Sequence, residues 1–113
     1  MTPTELDSRF LYSGFLGLHV LRLAAREGVF GSAMIEELAL HGFRLSAGTL
    51  YPILHKLERR GLVVSRLQPI GRSRRRIYRA TAKGSRALAS AKIQMHELFH
   101  LLVEESPSPR MGS

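Results

Sequence analysis

The chemistry of this chain is carried by its cations. Between positions 56 and 92 stand Lys56, Arg59, Arg60, Arg66, Arg72, Arg74, Arg75, Arg76, Arg79, Lys83, Arg86 and Lys92 against a single acid, Glu58, a local charge of +11. The remainder of the 113 residues carries −3, so the net charge of +8 conceals a strongly basic segment inside a mildly acidic chain. Guanidinium and ammonium groups in such excess pair with polyanions, nucleic acid first and an acidic membrane surface second. A second constellation is His96, His100 and Glu104, one helical turn apart. A His-x-x-x-His pair on a helix can hold a divalent metal, with the Glu as third ligand, and imidazoles beside an interface can sense pH. The same spacing arises by chance on amphipathic helices, and polar positions flanking an apolar seam are the preferred reading. No metal and no cofactor are expected.

Enzymatic chemistry is not encoded in any recognisable form. There is no phosphate-cradling glycine loop, carboxylate dyad or nucleophile–base set, and Gly71-Arg72-Ser73 is too weak a motif to count. The chain has no Cys, which excludes thiol catalysis, disulfides and Cys-ligated zinc. Apolar residues make up 44% and charged residues 23%, the composition of one globular domain. The longest apolar stretch, positions 10–25, is broken by His19 and Arg22 and is too short to span a bilayer. Glu5 and Asp7 beside Arg9 give the wrong charge for a secretory leader. A cytoplasmic protein with no membrane partner is expected.

The elements that must position the cations follow from periodicity and punctuation. Residues 5–27 read as a helix with Leu11, Phe15, Leu18 and Arg22 on one face and Leu16, Val20 and Leu23 on another, so more than one neighbour covers it. Gly28 ends it, Ser32 is placed to cap a second helix, and Gly42 lies beyond that helix's end. A third helix starts at the N-cap Ser46, closes at Gly61 and carries the apolar stripe Leu50, Ile53, Leu54 and Leu57. Its other face holds Gly48, Tyr51, Pro52, His55, Lys56 and Arg59. Pro52, several residues inside, removes a bond to the Gly48 carbonyl at a cost of about 3 kcal/mol in an ordinary helix, and Gly48 lets a backbone approach a phosphate closely. Two β-rich runs, 62–67 and 76–80, flank Pro69-Ile70-Gly71 and the cationic tip Arg72-Ser73-Arg74-Arg75. Thr81 then caps a long helix over roughly 82–105, and the Ser/Pro-rich 106–113 is expected to be a disordered tail.

Three helices, a basic hairpin and a long helix make a mainly α fold with a small β-hairpin: a winged helix-turn-helix plus a long C-terminal helix for dimerisation. The second helix of the turn pair enters the major groove of DNA and the wing reaches phosphates or the minor groove. The expected division is 5–80 for DNA binding, with the first helix shared with the dimer interface, 81–105 for dimerisation and 106–113 for the tail. Residues 42–62 and 75–84 resemble the PadR family of transcriptional regulators: Ser46-Ala47-Gly48-Thr49-Leu50-Tyr51-Pro52 opens the recognition helix, Leu57-Glu58-Arg59-Arg60-Gly61-Leu62 closes it, and Arg75-Arg76-Ile77-Tyr78-Arg79-Ala80-Thr81-Ala82-Lys83-Gly84 forms the second strand and the entry to the last helix. Two departures are Ala47 at the first helical position, where the family usually has Pro, and Val29-Phe30-Gly31-Ser32-Ala33, which lacks the family's Tyr-Gly-Tyr-like sequence.

The resemblance implies that Ser46, Gly48, Thr49, Tyr51 and Lys56 lie at the DNA face, with His55 pointing the same way, and that Arg72, Arg74 and Arg75 form the basic wing tip. Tyr78 is expected to pack in the hairpin or core. Along the last helix Leu88, Ala91, Met95, Leu98 and Leu102 recur at alternating spacings of three and four, an a/d seam widened by Phe99 and Val103. Phe15, Leu88, Met95, Leu98, Phe99 and Leu102 are accordingly expected at a homodimer interface, as the resemblance also implies. It further implies a small-molecule effector between subunits, for which Phe15, His19, Met95 and Phe99 are the available lining. The expected function is sequence-specific, most simply repression by a homodimer on a palindromic operator. The alternatives are a sequence-neutral architectural nucleic-acid-binding protein, or a non-enzymatic interaction adaptor using the long helix.

Overall fold

A computed structural model describes residues 3–105, with side chains from Ser13 onward. The expected tail 106–113 and the side chain of Leu11 lie outside the described residues. Seven elements follow one another: α1 Pro3–Arg26, β1 Val29–Phe30, α2 Gly31–Leu40, α3 Ala47–Arg59, β2 Val63–Ile70, β3 Ser73–Ala80 and α4 Ala82–Glu104. The core draws Val20, Leu21, Leu23 and Ala24 from α1, Met34 and Leu38 from α2, Leu50 and Leu54 from α3, Val63 and Tyr78 from the strands and Leu88 from α4. The second half of α1 is therefore covered on several sides, as its two apolar faces require.

Both helices of the turn pair end in the same way. At α2, Gly42 has φ 89°, its N–H donates to Ala39 O at 3.0 Å and Phe43 N–H donates to Leu38 O at 2.9 Å. At α3, Gly61 has φ 73°, with Gly61 N–H to Glu58 O and Leu62 N–H to Leu57 O both at 2.9 Å. This double bond pattern satisfies the last carbonyls and demands a left-handed residue, which glycine adopts without strain. Ser46 occupies the N-cap of α3, although its side chain makes no capping bond. The N-cap of α2 is Phe30, not Ser32: the helix begins at Gly31 and Ser32 falls in its first turn.

The sheet corrects the expected hairpin in two respects. It has three antiparallel strands in the order β1-β3-β2, because Val29 and Phe30 pair with Tyr78 and Ile77. The wing strands are also longer than expected and pair without interruption from Val63↔Ala80 to Ile70↔Ser73. The turn is thus only Gly71-Arg72, with Gly71 at φ 59°, the arrangement of a type II′ hairpin with glycine at its first central position. Arg74 and Arg75 are strand residues behind the tip, and Pro69 is accommodated because β2 is an edge strand.

The start of α4 is riveted to the end of α3. The Thr81 side chain accepts from Gly84 N–H at 3.0 Å and donates to Gly61 O at 2.6 Å. Thr81 N–H donates to Leu62 O at 3.0 Å, and Lys83 Nζ donates to Arg60 O at 2.8 Å. Gly84 is buried against the Leu62 carbonyl, which occupies the place where a Cβ would stand. Leu88, one turn further on, is 9% exposed and belongs to the core of its own chain. At that turn of α4 the expected seam is thus covered by the chain's own α1 and sheet, and the exposed part of the stripe begins further along the helix.

Candidate nucleic-acid interface

The α3 helix turns its apolar stripe to the core and exposes a long outer face. At 100° per residue, Gly48, Pro52, His55 and Arg59 share the centre of that face, and all four are exposed. Thr49 and Lys56 flank them on one side and Tyr51 on the other. The helix starts at Ala47, so Pro52 sits inside it and the Gly48 carbonyl loses its i→i+4 donor there. A Cβ on Gly48 would meet only Ser46 Oγ, at 3.6 Å. Packing within the chain therefore does not demand glycine at this position; the vacant space faces outward. Arg59 joins this face although the motif resemblance does not name it for DNA contact; its i+4 spacing from His55 is the signal that marks it.

Tyr51 is half-buried rather than projecting freely. Its hydroxyl stands against Gly31 at the start of α2, where a Cβ would collide with it, and its ring lies tilted to that of His55 with centroids 6.5 Å apart. Tyr51 thereby reaches the wing as well, meeting Arg74 and Arg75 around a cleft of about 360 Å³. Successive strand residues point to opposite faces. Arg75 accordingly stacks over Phe30, 5.9 Å from the ring centroid, while Arg74 shares its face with Arg76 and Tyr78. Arg72 stands exposed in the turn itself. Tyr78 is in the core, 2% exposed; burial first, then the neighbouring Tyr51 and Glu58, push its phenol above the usual 10.0, with Arg76 opposing. Glu58, the one acid of the basic segment, accepts from Ser65 Oγ at 2.8 Å, and Arg76 donates to the same hydroxyl at 3.1 Å.

Ser46, Thr49 and Lys56 line a different feature, an apolar groove of about 1040 Å³ bounded by α1, α3 and α4. Phe15, His19, Met95 and Phe99 do not line it. His19 instead sits edge-on to Phe43, 4.8 Å between centroids, and stacks on His41 at 6.2 Å. Arg22 can only donate, so at 3.1 Å it requires a bare Nδ1 on His19. Beyond Ala91, α4 shows Leu98 43%, Phe99 66% and Leu102 61% exposed, joined by Ile93, Leu101 and Val103. Met95 is half-buried and Phe15 exposed. His100 Nε2 lies 3.0 Å from Glu104 Oε2, both side chains more than half exposed. Among the described residues no three His, Cys, Asp or Glu side chains are grouped to hold a metal ion, and no helix is long and apolar enough to cross a membrane.

Known proteins resemble this chain in sequence and in fold. The profile of the "Transcriptional regulator PadR-like family" matches residues 20–90. "Transcriptional regulator Rv3488" of Mycobacterium tuberculosis is 46% identical over 81 residues, covering 72% of this chain and 76% of that protein. A PadR family transcriptional regulator from Eggerthella lenta superposes with a TM-score of 0.77 at 34% identity, over 91% of this chain and 94% of that one. A PadR-like transcriptional regulator from Bacillus cereus does so with a TM-score of 0.73 at 25% identity, over 86% and 98%.

Proposed function

The chain belongs to the PadR-like family of transcriptional regulators, which are not enzymes, and from that premise we propose that it represses transcription as a homodimer seated on a palindromic operator. The observation that carries this reading is the outer face of α3: Gly48, His55 and Arg59 lie exposed without an acid among them, beside a wing bearing Arg72, Arg74 and Arg75. In this reading α3 enters the major groove, where Thr49, His55 and Arg59 meet base edges or flanking phosphates, and Ser46 and Lys56 bind the backbone. The wing arginines hold phosphates, which fixes orientation while the base contacts specify sequence. The exposed stripe of α4 from Ile93 to Val103 supplies the subunit contact, with Phe15 of α1 beside it. A two-fold axis then presents two α3 helices to one side of a duplex, half-sites lying about 34 Å apart or an integral number of turns.

The test is selection of bound genomic fragments by the purified protein, followed by competition of the recovered site against random duplex. The expected outcome is a shared inverted repeat, preferred over random DNA by roughly 10³ or more. Binding of unrelated duplexes within about tenfold of one another would instead favour the architectural reading.

A further inference from the structure

Glu58 stands against two ordinary rules. It is the one acid among the cations of positions 56–92, and it occupies the last turn of α3, where the negative end of the helix dipole disfavours a carboxylate. Its neighbours supply the compensation. The Ser65 hydroxyl on β2 donates to Glu58 Oε2 at 2.8 Å. A hydroxyl has one proton to give, so towards Arg76 of β3, whose Nη1 lies 3.1 Å away, the same oxygen accepts. The order Arg76 to Ser65 to Glu58 is thereby fixed. A cation donates at one end and an anion accepts at the other, the charge-assisted kind of hydrogen bond.

This bridge lies where the wing leaves the body of the domain. Ser65 faces Tyr78 across the ladder, and Tyr78 is in the core. Beyond that pair every residue from Arg66 to Arg76 is exposed, and none belongs to the core or packs against it. Backbone pairing joins β2 to β3 but does not fix how the pair is set against α3. On the outer face of the sheet Arg75 rests over Phe30, a tie to β1. Among the described residues, the bridge is the one side-chain hydrogen-bonded link from the wing strands to α3.

We propose that Glu58 and Ser65 are positioning residues for DNA binding. Their bridge to Arg76 sets the wing against α3, so that Arg72, Arg74 and Arg75 meet phosphates beside the groove that α3 enters. The inference rests on the DNA-binding reading above. It reverses the sign that charge alone assigns to Glu58. An acid in a segment that tracks a polyanion repels it, so removing the acid should tighten binding. As an anchor, its removal frees the wing and loosens binding. Glutamine separates the two effects, because it keeps an oxygen for the Ser65 hydroxyl and removes the charge.

The test compares full-length wild type with Glu58→Ala, Glu58→Gln, Ser65→Ala and Ser65→Thr. Affinity for the selected operator and for a duplex of unrelated sequence is measured across a salt series, with Tm beside each. Glu58→Ala and Ser65→Ala should each bind both duplexes about three- to tenfold more weakly, with the salt slope lowered by about one per protomer. Glu58→Gln should bind at or above wild-type affinity, and Ser65→Thr, which keeps the hydroxyl on a strand-favouring residue, should stay near it. Adding Arg74→Ala and Arg75→Ala to Ser65→Ala should cost less affinity than adding them to wild type, the non-additivity of groups that act through one contact. Should Glu58→Ala unfold, Ser65→Ala, which removes a single oxygen, decides by the same criteria. Tighter binding by Glu58→Ala, wild-type affinity and slope in Ser65→Ala, or full additivity with the wing pair overturns the bridge while leaving DNA binding intact. Equal losses in Glu58→Gln and Ser65→Thr overturn it as well, since the conservative variants then fail to rescue. A wild-type protein that binds neither duplex overturns the DNA-binding reading itself.

Discussion

Replacing Gly84 with Ala sets two ordinary effects of one methyl group against each other. In a helix interior alanine is favoured over glycine by about 1 kcal/mol. Here the added Cβ would stand inside the Leu62 carbonyl, a backbone atom of the neighbouring strand entry, and no rotamer change relieves it. Relief requires the start of α4 to back away. The Thr81 N–H bond to Leu62 O, 3.0 Å long, would then stretch, at a cost of about 1 kcal/mol. The same movement lifts Leu88, one turn on, out of the core, and overpacking strain of this kind typically costs about 1–3 kcal/mol. After the helix-propensity gain, the net destabilisation is about 1–3 kcal/mol, or a Tm lowered by roughly 4–15 °C for a chain of this size. Thermal unfolding followed by circular dichroism, at one fixed protomer concentration, measures it. Gly48→Ala is the control: its Cβ meets only Ser46 Oγ at 3.6 Å, so Tm should hold or rise. A Gly84→Ala protein that unfolds at or above the wild-type Tm would refute the reasoning.

Three further outcomes are expected. Leu98→Glu with Leu102→Glu, measured by light scattering beside operator affinity, should give monomers that bind operator at least a hundredfold more weakly, since each buried apolar side chain contributes roughly 1.5–3 kcal/mol; a folded monomer with wild-type affinity would count against the proposed dimer. Arg74→Ala with Arg75→Ala should weaken operator and random DNA alike and lower the salt slope by about one for each phosphate no longer neutralised, whereas His55→Ala with Arg59→Ala should erode the preference for operator; the reverse pattern would exchange the two roles. His19 is held below its usual pKa of 6.5 by burial first, then by Arg22 and His41, with Glu37 pulling the other way. The unfolded chain then takes up this proton before the folded one, so the stability tied to a neutral His19 is present above 6.5 and is lost as pH falls from there through the lower pKa of the folded state. His19→Gln should remove that part of the fall in Tm, and parallel curves for the two proteins would exclude His19 as its source.

Much of this architecture is legible in the chain because punctuation and period agree. Gly42, Gly61 and Thr81 each mark a helix boundary by a mechanism local to a few residues, and the structure places each at the end expected of it. The two residues of β1 are not legible, since Val29-Phe30 is too short to display a period of two and its strand character comes wholly from pairing with β3. Phe30 rather than Ser32 is the α2 N-cap for the same reason: the sheet dictates where the chain leaves extended geometry, and side-chain capping preference yields to it. Leu88 shows a different limit. An a/d spacing identifies a face that needs covering, but it does not distinguish a partner from the chain's own α1. Helical spacing alone puts Tyr51 on the outward face, whereas the adjacent glycine at position 31 draws it inward, a pairing that only the fold brings together.

The rivets around Thr81 also give the molecule a mechanical property. With its first turn pinned to residues 60–62, which close α3, α4 is a rod of 23 residues, about 34 Å long at 1.5 Å per residue. A tilt of about 5° at the pinned end sweeps the free end through roughly 3 Å at that length. Run in reverse, a small displacement where two such rods meet is geared down into a fine rotation of each reading helix. In the dimer proposed above, a contact made at the far tip of that long handle would tell on the spacing of the two α3 helices.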